Sequence, residues 1–519
     1  MPTEKYDVAV IGSGIGGLSA ASYLARAGYR VVMLEHYVVP GGYAHEFIRG
    51  YYSFDVSLRY LDGISPGTLS HTTMTELGLP QAVTFNRLDP IYTAAFPDHT
   101  ITAHADSVAY EAELIRHFPH ERKGIRQLID AMMHVFYDMR RYQSDTQAGL
   151  NAPDAPVPDS YPHLHHALQQ TWGDFMQQHI SDPHLHAIFS VLWNYQGSSP
   201  AHLSAVTFIL RWVSLHVFGA YYPQEGVMAM SWALAKSVRD HGGQVYYRQT
   251  VTSITMRDGL AVGIETDKGL QIEADVIISN ANPPDTLLNL VGRHHLPDTY
   301  AQQIESLQPA LSSLVVFLGL DRDLHAEGWN HHEYMLCPGY DPHAAYQAIL
   351  DGNYQHTDMG ITYYNLCYPT CAPKGGSVVT LYSLAAWDYA NQWGTEGNQD
   401  NYQKNARYLE LKQHVFDTLL TRAEALIPNL RSTILYQEVA SPMTNMRYSM
   451  NRGGSFCGSE QTVENTFHNR LSARTPIPNL FLTGAWVSAG SISSVLVSGR
   501  DTSHLARAYL EGQRAPTVR

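Results

Sequence analysis

Cysteine is scarce in this chain, with four residues in 519. That is too few for a disulfide framework. Cys367 and Cys371 stand four apart, which is neither a CxxC redox pair nor half of a familiar zinc site, so free thiols in a reducing compartment are expected. Positive charge is short as well: 34 basic residues face 48 acidic ones, for a formal charge of −14. A sequence-independent grip on nucleic acid needs basic clusters against phosphate, and this balance argues against one. No block of like charges marks a disordered tail. No uninterrupted apolar stretch reaches the ~18 residues of a membrane helix. Ala201 to Tyr222 comes nearest, but carries Arg211 and His216 in its middle. The opening residues, Met1 to Asp7, lack the basic and apolar regions of a secretory signal. A cytoplasmic protein is expected, with peripheral membrane contact through a surface patch left open.

Chemical motifs are missing too. Histidine is plentiful at 27 residues, with groupings at His163, His165 and His166, at His184 and His186, and at His331-His332-Glu333. None forms HExxH or another spaced ligand set, so no metal site is expected. There is no GxSxG elbow, no Ser-His-Asp ordering and no internal repeat.

What is present begins at once. Val8 to Ile11 is a short apolar run closed by glycine, as in a buried parallel strand. Leu18 to Ala27 reads as a helix with Gly28 at its C′ position, and Tyr29 to Leu34 as a second strand. Together they make a right-handed β-α-β unit. From about 66 to 222 the character turns helical, notably at Ser107–His117, Gly124–Tyr142 and Ala201–Val217, with a proline-rich connection at 147–161. Gly226–His241 reads as a helix. Strands follow at Gln244–Tyr247, Thr250–Met256, Gly259–Thr266 and Asp275–Ser279, with an Asp258-Gly259 turn. Residues 306 to 385 are mostly strand-like, a helix is expected over about 402–425, and Asn479–Thr483 is a strand leading to a helix near Ser491. The fold class is therefore α/β. A discontinuous Rossmann-type domain is expected over 1–75, 225–290 and 440–519, with an inserted α+β substrate domain over 76–224 and 291–439.

Gly12, Gly14 and Gly17 satisfy GxGxxG between a strand and a helix, and Glu35 closes the next strand. Gly12 permits the tight turn, Gly14 lets the backbone approach a pyrophosphate, and Gly17 allows close helix–strand packing. The helix N-terminus offers N–H groups and partial positive charge to phosphate, and a carboxylate at Glu35 can accept from a ribose. A second glycine pair follows at Gly41-Gly42, after Pro40 and before Tyr43-Ala44-His45. This layout resembles the two-dinucleotide-binding-domain flavoproteins, which include amine oxidases and phytoene desaturases.

Further segments narrow the resemblance. Gly50 with Phe54-Asp55, Pro223 with Gly226 and Met228, Val276 to Ala281, Asn451 to Gly458, and Thr475 to Gly484 are similar to segments of phytoene desaturases, carotenoid isomerases and retinol saturases. The resemblance implies FAD contact along Gly12, Ser13, Gly14, Ile15, Gly16 and Gly17, at Glu35 and His36, and along Gly41, Gly42, Tyr43 and Ala44. It also implies adenine contact at Val251, and approach to the ribityl chain and ring by Gly484, Ala485, Ser491 and Ile492. No second GxGxxG opens a helix, so electrons come from or go to a diffusible partner. Desaturation, saturation and cis-trans isomerisation of carbon-carbon double bonds all stay compatible.

The expected substrate is an extended apolar or amphipathic polyene of carotenoid, retinoid or unsaturated fatty acid type. Helices such as Val206 to Val213, in a chain with 33 tyrosines, could line its channel or fill the core. After Phe54-Asp55-Val56 these families usually carry glycine, where this chain has Ser57; where retinol saturases have histidine, it has Arg59. A guanidinium beside a flavin favours a carboxylate or other polar end group; a surface ion pair is the alternative. His45 is a candidate for ring contact or proton relay, or else a satisfied structural residue. Catalytic residues are otherwise not assigned. Two other functions share the architecture: oxidation of amines or polar aromatics, and non-catalytic prenyl binding of the Rab GDP-dissociation-inhibitor type.

Overall fold

The computed structural model describes residues 4–151, 156–387 and 391–514. Met1 to Thr3 and part of the proline-rich connection, 152–155, lie outside the described residues.

The first layer is a seven-stranded sheet. Its elements are β1 (Glu4–Ile11), α1 (Ile15–Arg26), β2 (Val31–Glu35), β3 (Gln244–Tyr247), β4 (Val251–Arg257), β5 (Leu260–Thr266), β6 (Gln271–Ser279), β7 (Leu480–Leu482) and the last helix α2 (Ile492–Arg514). The strand order is β3-β2-β1-β6-β5-β4. The first half of β6 pairs antiparallel with β5, and its last residues, Ile277 to Ser279, pair parallel with β7. Side chains alternate between two cores. Val8, Val10, Val31, Met33, Val276 and Ile278 face one; Ala9, Ile11, Val32, Leu34 and Ile277 face the other. Cover on both faces is why these strands read as unbroken apolar runs. The β4–β5 hairpin turns at Asp258 and Gly259 with φ of 51° and 76°, the doubly positive geometry of a type I′ turn.

On one face α1 packs beside α2, and both lie against the sheet. Gly499 makes the approach possible: a β-carbon there would sit 2.3 Å from the Gly16 carbonyl oxygen, and Ser19 Oγ donates to the Leu496 carbonyl at 2.7 Å. The second layer is another seven-stranded sheet, in the order Ile434–Ala440, Ser312–Leu320, Ser377–Ala385, Met359–Tyr363, Glu333–Leu336, Tyr92–Ala95, Thr100–Ala103. The helix Ala406–Glu424 covers one face through Val415, Phe416, Leu419 and Leu420. A helical block including Arg122–Gln147 and Ala205–His216 joins the main core.

Two readings need correction. The stretch from about 66 to 222, read for its helical segments, also contains the four-residue strands Phe85–Leu88, Tyr92–Ala95 and Thr100–Ala103, and runs into a fourth, Ala220–Pro223. They are too short to display a period, and Tyr92–Ala95 owes its place to parallel pairing with Glu333–Leu336, about 240 residues away in sequence. The mostly strand-like stretch contains a helix, Pro342–Leu350, whose Asp341 side chain accepts from the His343 and Ala344 N–H groups. That Asp-Pro start is an ordinary helix signal.

Asn479 ties β7 into the sheet. Its Oδ1 accepts from Ala261 N–H at 2.9 Å, and its Nδ2 donates to the carbonyls of Ala261 at 2.6 Å and Asp275 at 2.9 Å, with the Asn479 side chain buried. Asn479→Ala strands three backbone groups, so it should lower stability by about 2–4 kcal/mol, read as a shift in urea midpoint. A midpoint unchanged from wild type would contradict this role.

Candidate functional site

A cavity of about 510 Å³ runs along the C-terminal ends of the parallel strands, where open α/β sheets place their ligands. It is lined from Ile11 and Gly12 after β1, Leu34 to Tyr37 after β2, Val251 at the start of β4, Asn280 to Asn282 after β6, and Gly484 to Trp486 after β7. Two backbone turns, carrying three glycines, converge there on one side chain. A β-carbon at Gly14, Gly16 or Gly484 would sit 2.5, 2.7 or 2.5 Å from the amide of Asn280. Gly484 also has φ of +96°, in the region that disfavours any side chain. Gly14 forms an isolated bridge with Gly41, and Gly41 N–H donates to the Ser13 carbonyl at 2.8 Å.

Glu35 is buried at the turn it helps to hold. Its Oε2 accepts from Ser13 N–H and Ser13 Oγ, both at 2.8 Å, and its Oε1 accepts from Tyr37 N–H at 2.7 Å. Ser13 therefore braces the carboxylate and does not line the cavity, nor does Gly17, whose missing side chain admits the Gly12 carbonyl. Each other residue expected at the cofactor lines the cavity: Gly12, Gly14, Ile15, Gly16, Glu35, His36, Gly41, Gly42, Tyr43, Ala44, Val251, Gly484, Ala485, Ser491 and Ile492.

The inner end is aromatic and polar together. Leu58, Tyr60, Tyr195, Phe456, Trp486 and Val495 share it with Arg59, Asp62 and Arg211. Asp62 Oδ2 pairs with Arg211 at 3.3 Å, and Asp62 Oδ1 accepts from Ser493 Oγ at 2.6 Å, at the start of α2. Arg59 lies 3.4 Å over the Tyr382 ring and donates from Nη1 to the Ser57 carbonyl at 2.6 Å. Its Nε is buried with no hydrogen-bond partner among the described residues. Arg59 is thus a cavity residue, and among the described residues no ion pair holds it.

Behind Arg59, Glu333 accepts from Tyr195 Oη at 3.2 Å and Thr362 Oγ1 at 2.6 Å. Burial pushes its carboxyl up to about 7, against the pull of the Arg59 guanidinium. Burial, with the nearby Glu46 charge, likewise raises Asp55 to about 7; Asp55 accepts from Tyr222 Oη and from the Ser57 and Leu58 N–H groups. His45 Nδ1 meets the Gly42 carbonyl and so must donate, which makes the histidine a clasp on the glycine turn. Burial lowers its pKa.

Three site residues escaped the sequence reading. Asn280 lay within a segment noted for its resemblance. Arg211 interrupts an otherwise apolar helix, which is itself a signal that a buried charge has a partner. Asp62 gave no local sign. The histidine groupings disperse: His332 donates to the Arg59 carbonyl, while His184 comes with Asp98 and His99, whose ligand atoms all lie within 4.8 Å of one another. Tyr340 hydrogen-bonds both Asp98 and His99. Among the described residues no helix is long and apolar enough to cross a membrane.

Residues 15–505 match the family model described as flavin containing amine oxidoreductase. Among curated proteins, the chain is 27% identical to prolycopene isomerase 1, chloroplastic, of an Oncidium hybrid cultivar, over 98% of this chain and 84% of that one. It is 26% identical to the all-trans-retinol 13,14-reductase of Macaca fascicularis, over 93% and 82%. Among solved structures, a putrescine oxidase bound to putrescine superposes with a TM-score of 0.63 at 12% identity, covering 98% of this chain and all of that one. That likeness concerns the fold.

Removing the Glu35 carboxylate strands the Ser13 and Tyr37 donors and loosens the turn that lines the cavity. Glu35→Ala should weaken FAD binding at least about tenfold by fluorescence titration; an unchanged affinity would contradict the assignment. The Glu333 carboxyl has the opposite kind of consequence. Its ionised form is disfavoured in the fold, so its contribution to stability falls as pH rises from about 4.5 to about 7. Glu333→Gln should gain on wild type by roughly 1–3 kcal/mol between pH 5 and 8 in denaturant titrations. A constant difference would show that Glu333 titrates normally.

Proposed function

The chain belongs to the flavin containing amine oxidoreductase family, and on that premise we propose that it acts on carbon-carbon double bonds of an extended, mainly apolar polyene. The substrate is of carotenoid, retinoid or unsaturated fatty acid type, and the reaction is desaturation, saturation or cis-trans isomerisation. Full-length similarity to a prolycopene isomerase and to a retinol reductase supports this class.

The family's cofactor is FAD, and the residues present fit it. The glycine edge has no room for side chains at Gly14, Gly16 and Gly484, yet leaves an open cavity beside it. The residues that would hold FAD are Gly12, Gly14 to Gly16, Glu35 and His36, Gly41 to Ala44, Val251, Gly484, Ala485, Ser491 and Ile492, joined by Asn280. Ser13 and Gly17 act from behind this surface. When bound, FAD supplies the electron-accepting and electron-donating chemistry, with a diffusible partner completing any net redox change. We assign 1–75, 225–290 and 440–519 to its domain, and 76–224 and 291–439 to the substrate domain.

The observation that carries the reading is the inner end of the cavity. Tyr60, Tyr195, Phe456 and Trp486 offer apolar faces for a conjugated chain, and Arg59 offers an unpartnered buried N–H. Such a donor favours a carboxylate or other polar end group on the polyene. Arg211 is already neutralised by Asp62, which leaves Arg59 to orient the ligand. The same guanidinium repels an ammonium group, which weighs against amine oxidation.

Anaerobic mixing of FAD-loaded protein with retinoids, carotenoids and unsaturated fatty acids should perturb the flavin spectrum with at least one of them. Retinoate should bind about tenfold more tightly than retinol, and Arg59→Met should erase that preference. A spectrum unmoved by every polyene, with hydrogen peroxide formed from amines in air, would replace this reading by amine oxidation. A protein that refuses FAD and binds prenyl lipid would replace it by the non-catalytic alternative.

A further inference from the structure

A second cavity, of about 340 Å³, lies on the other side of the Gly42-Tyr43 turn. Its walls include Phe47, Val56, Phe317, Leu409 and Val439, and it shares Tyr43, His45 and Tyr448 with the first cavity. Its volume is within the range of small-molecule pockets. Its charges do not balance. Arg49 and Glu438 pair with one another at 3.2 Å, burial lowers the pKa of His45 and favours its neutral form, and Lys412 is left over. Among the described residues no carboxylate oxygen lies within 4 Å of the Lys412 ammonium; Glu438 influences it only from farther off. Burial lowers the Lys412 pKa, the mark of a cation that has lost water without gaining a close partner.

A second observation points the same way. Tyr402 also lines this cavity, is only 4% exposed, and has a hydroxyl with no hydrogen-bond partner among the described residues. Buried hydroxyls are ordinarily satisfied, so an orphan on a residue of the cavity wall is a donor in want of an acceptor. One excess positive charge, one orphan donor and an apolar-aromatic chamber together define a complement.

We propose that this second cavity binds an amphipathic mono-anion, a long apolar chain ending in one carboxylate that accepts from Lys412 and Tyr402. The site stands apart from the reading of the flavin cavity, since it requires neither double bonds nor electron transfer. Palmitate, which has no double bond to react, is therefore the suitable probe, and hexadecanol is its neutral counterpart.

Calorimetric titration of the FAD-loaded protein should show palmitate binding more tightly than hexadecanol, with an affinity that falls as salt rises. Lys412→Met should weaken palmitate about tenfold, the worth of one charge-assisted hydrogen bond, and leave hexadecanol nearly unchanged. Lys412→Arg should restore most of the affinity, and Tyr402→Phe should weaken palmitate several-fold. Leu409 is 46% exposed, so Leu409→Trp can narrow the chamber with little risk to folding, and it should weaken both probes. The flavin spectrum of each variant should match wild type, which separates this test from that of the polyene reaction. Palmitate affinity indifferent to Lys412→Met would overturn the proposal, as would palmitate binding lost in Arg59→Met and kept in Lys412→Met.

Discussion

The convergence of two glycine-bearing turns on the side chain of Asn280 is the constraint on which the site depends. The turn after β1, the turn after β7 and the end of β6 can meet only because Gly14, Gly16 and Gly484 have no β-carbon to place between them. The parallel sheet supplies the frame: β1, β2, β6 and β7 end along the same edge, so their terminal backbone groups face one cavity. Glu35 then joins the β2 end to the β1 turn through Ser13, and His45 clasps the Gly42 turn. Rigidity at this edge comes from hydrogen bonds between backbone and buried side chains, the kind that cost most to leave unmade.

The inner end follows a different logic, because charge is buried there in several places. Asp62 with Arg211 makes one compensated pair, braced by Ser493. Arg59 is held by the Tyr382 ring and the Ser57 carbonyl, with Glu333 behind it, whose carboxyl burial pushes up to about 7. Breaking such groups apart is expensive, so they fix the pocket's shape while keeping one donor unspent. The second sheet matters functionally through this contact, because Glu333, Thr362 and Tyr382 all stand on its strands.

Much of this was readable from residue order, for identifiable reasons. The glycine fingerprint, Glu35 and the apolar β1 and β2 runs are local signals, and the structure brings those residues to one edge. Asp258-Gly259 announced its hairpin by turn chemistry alone. The strands Tyr92–Ala95 and Glu333–Leu336 did not, because each is too short for a period and exists through its distant partner. Arg211 was visible as a charge in an apolar helix, but its partner Asp62 lies 149 residues away and carries no mark of the pairing. Arg59 departs visibly from related families; that it lies against Tyr382 depends on how the loop after Tyr52–Asp55 packs on the second sheet.

The chemistry of the first cavity depends on the glycine edge holding FAD. The most direct test is to purify the protein, record its visible absorption, and quantify the nucleotide released on denaturation. The account predicts visible flavin absorption and about one FAD per chain when the protein is saturated, with the colour leaving the protein as it unfolds. Folded protein that stays colourless and takes up no added FAD would contradict it.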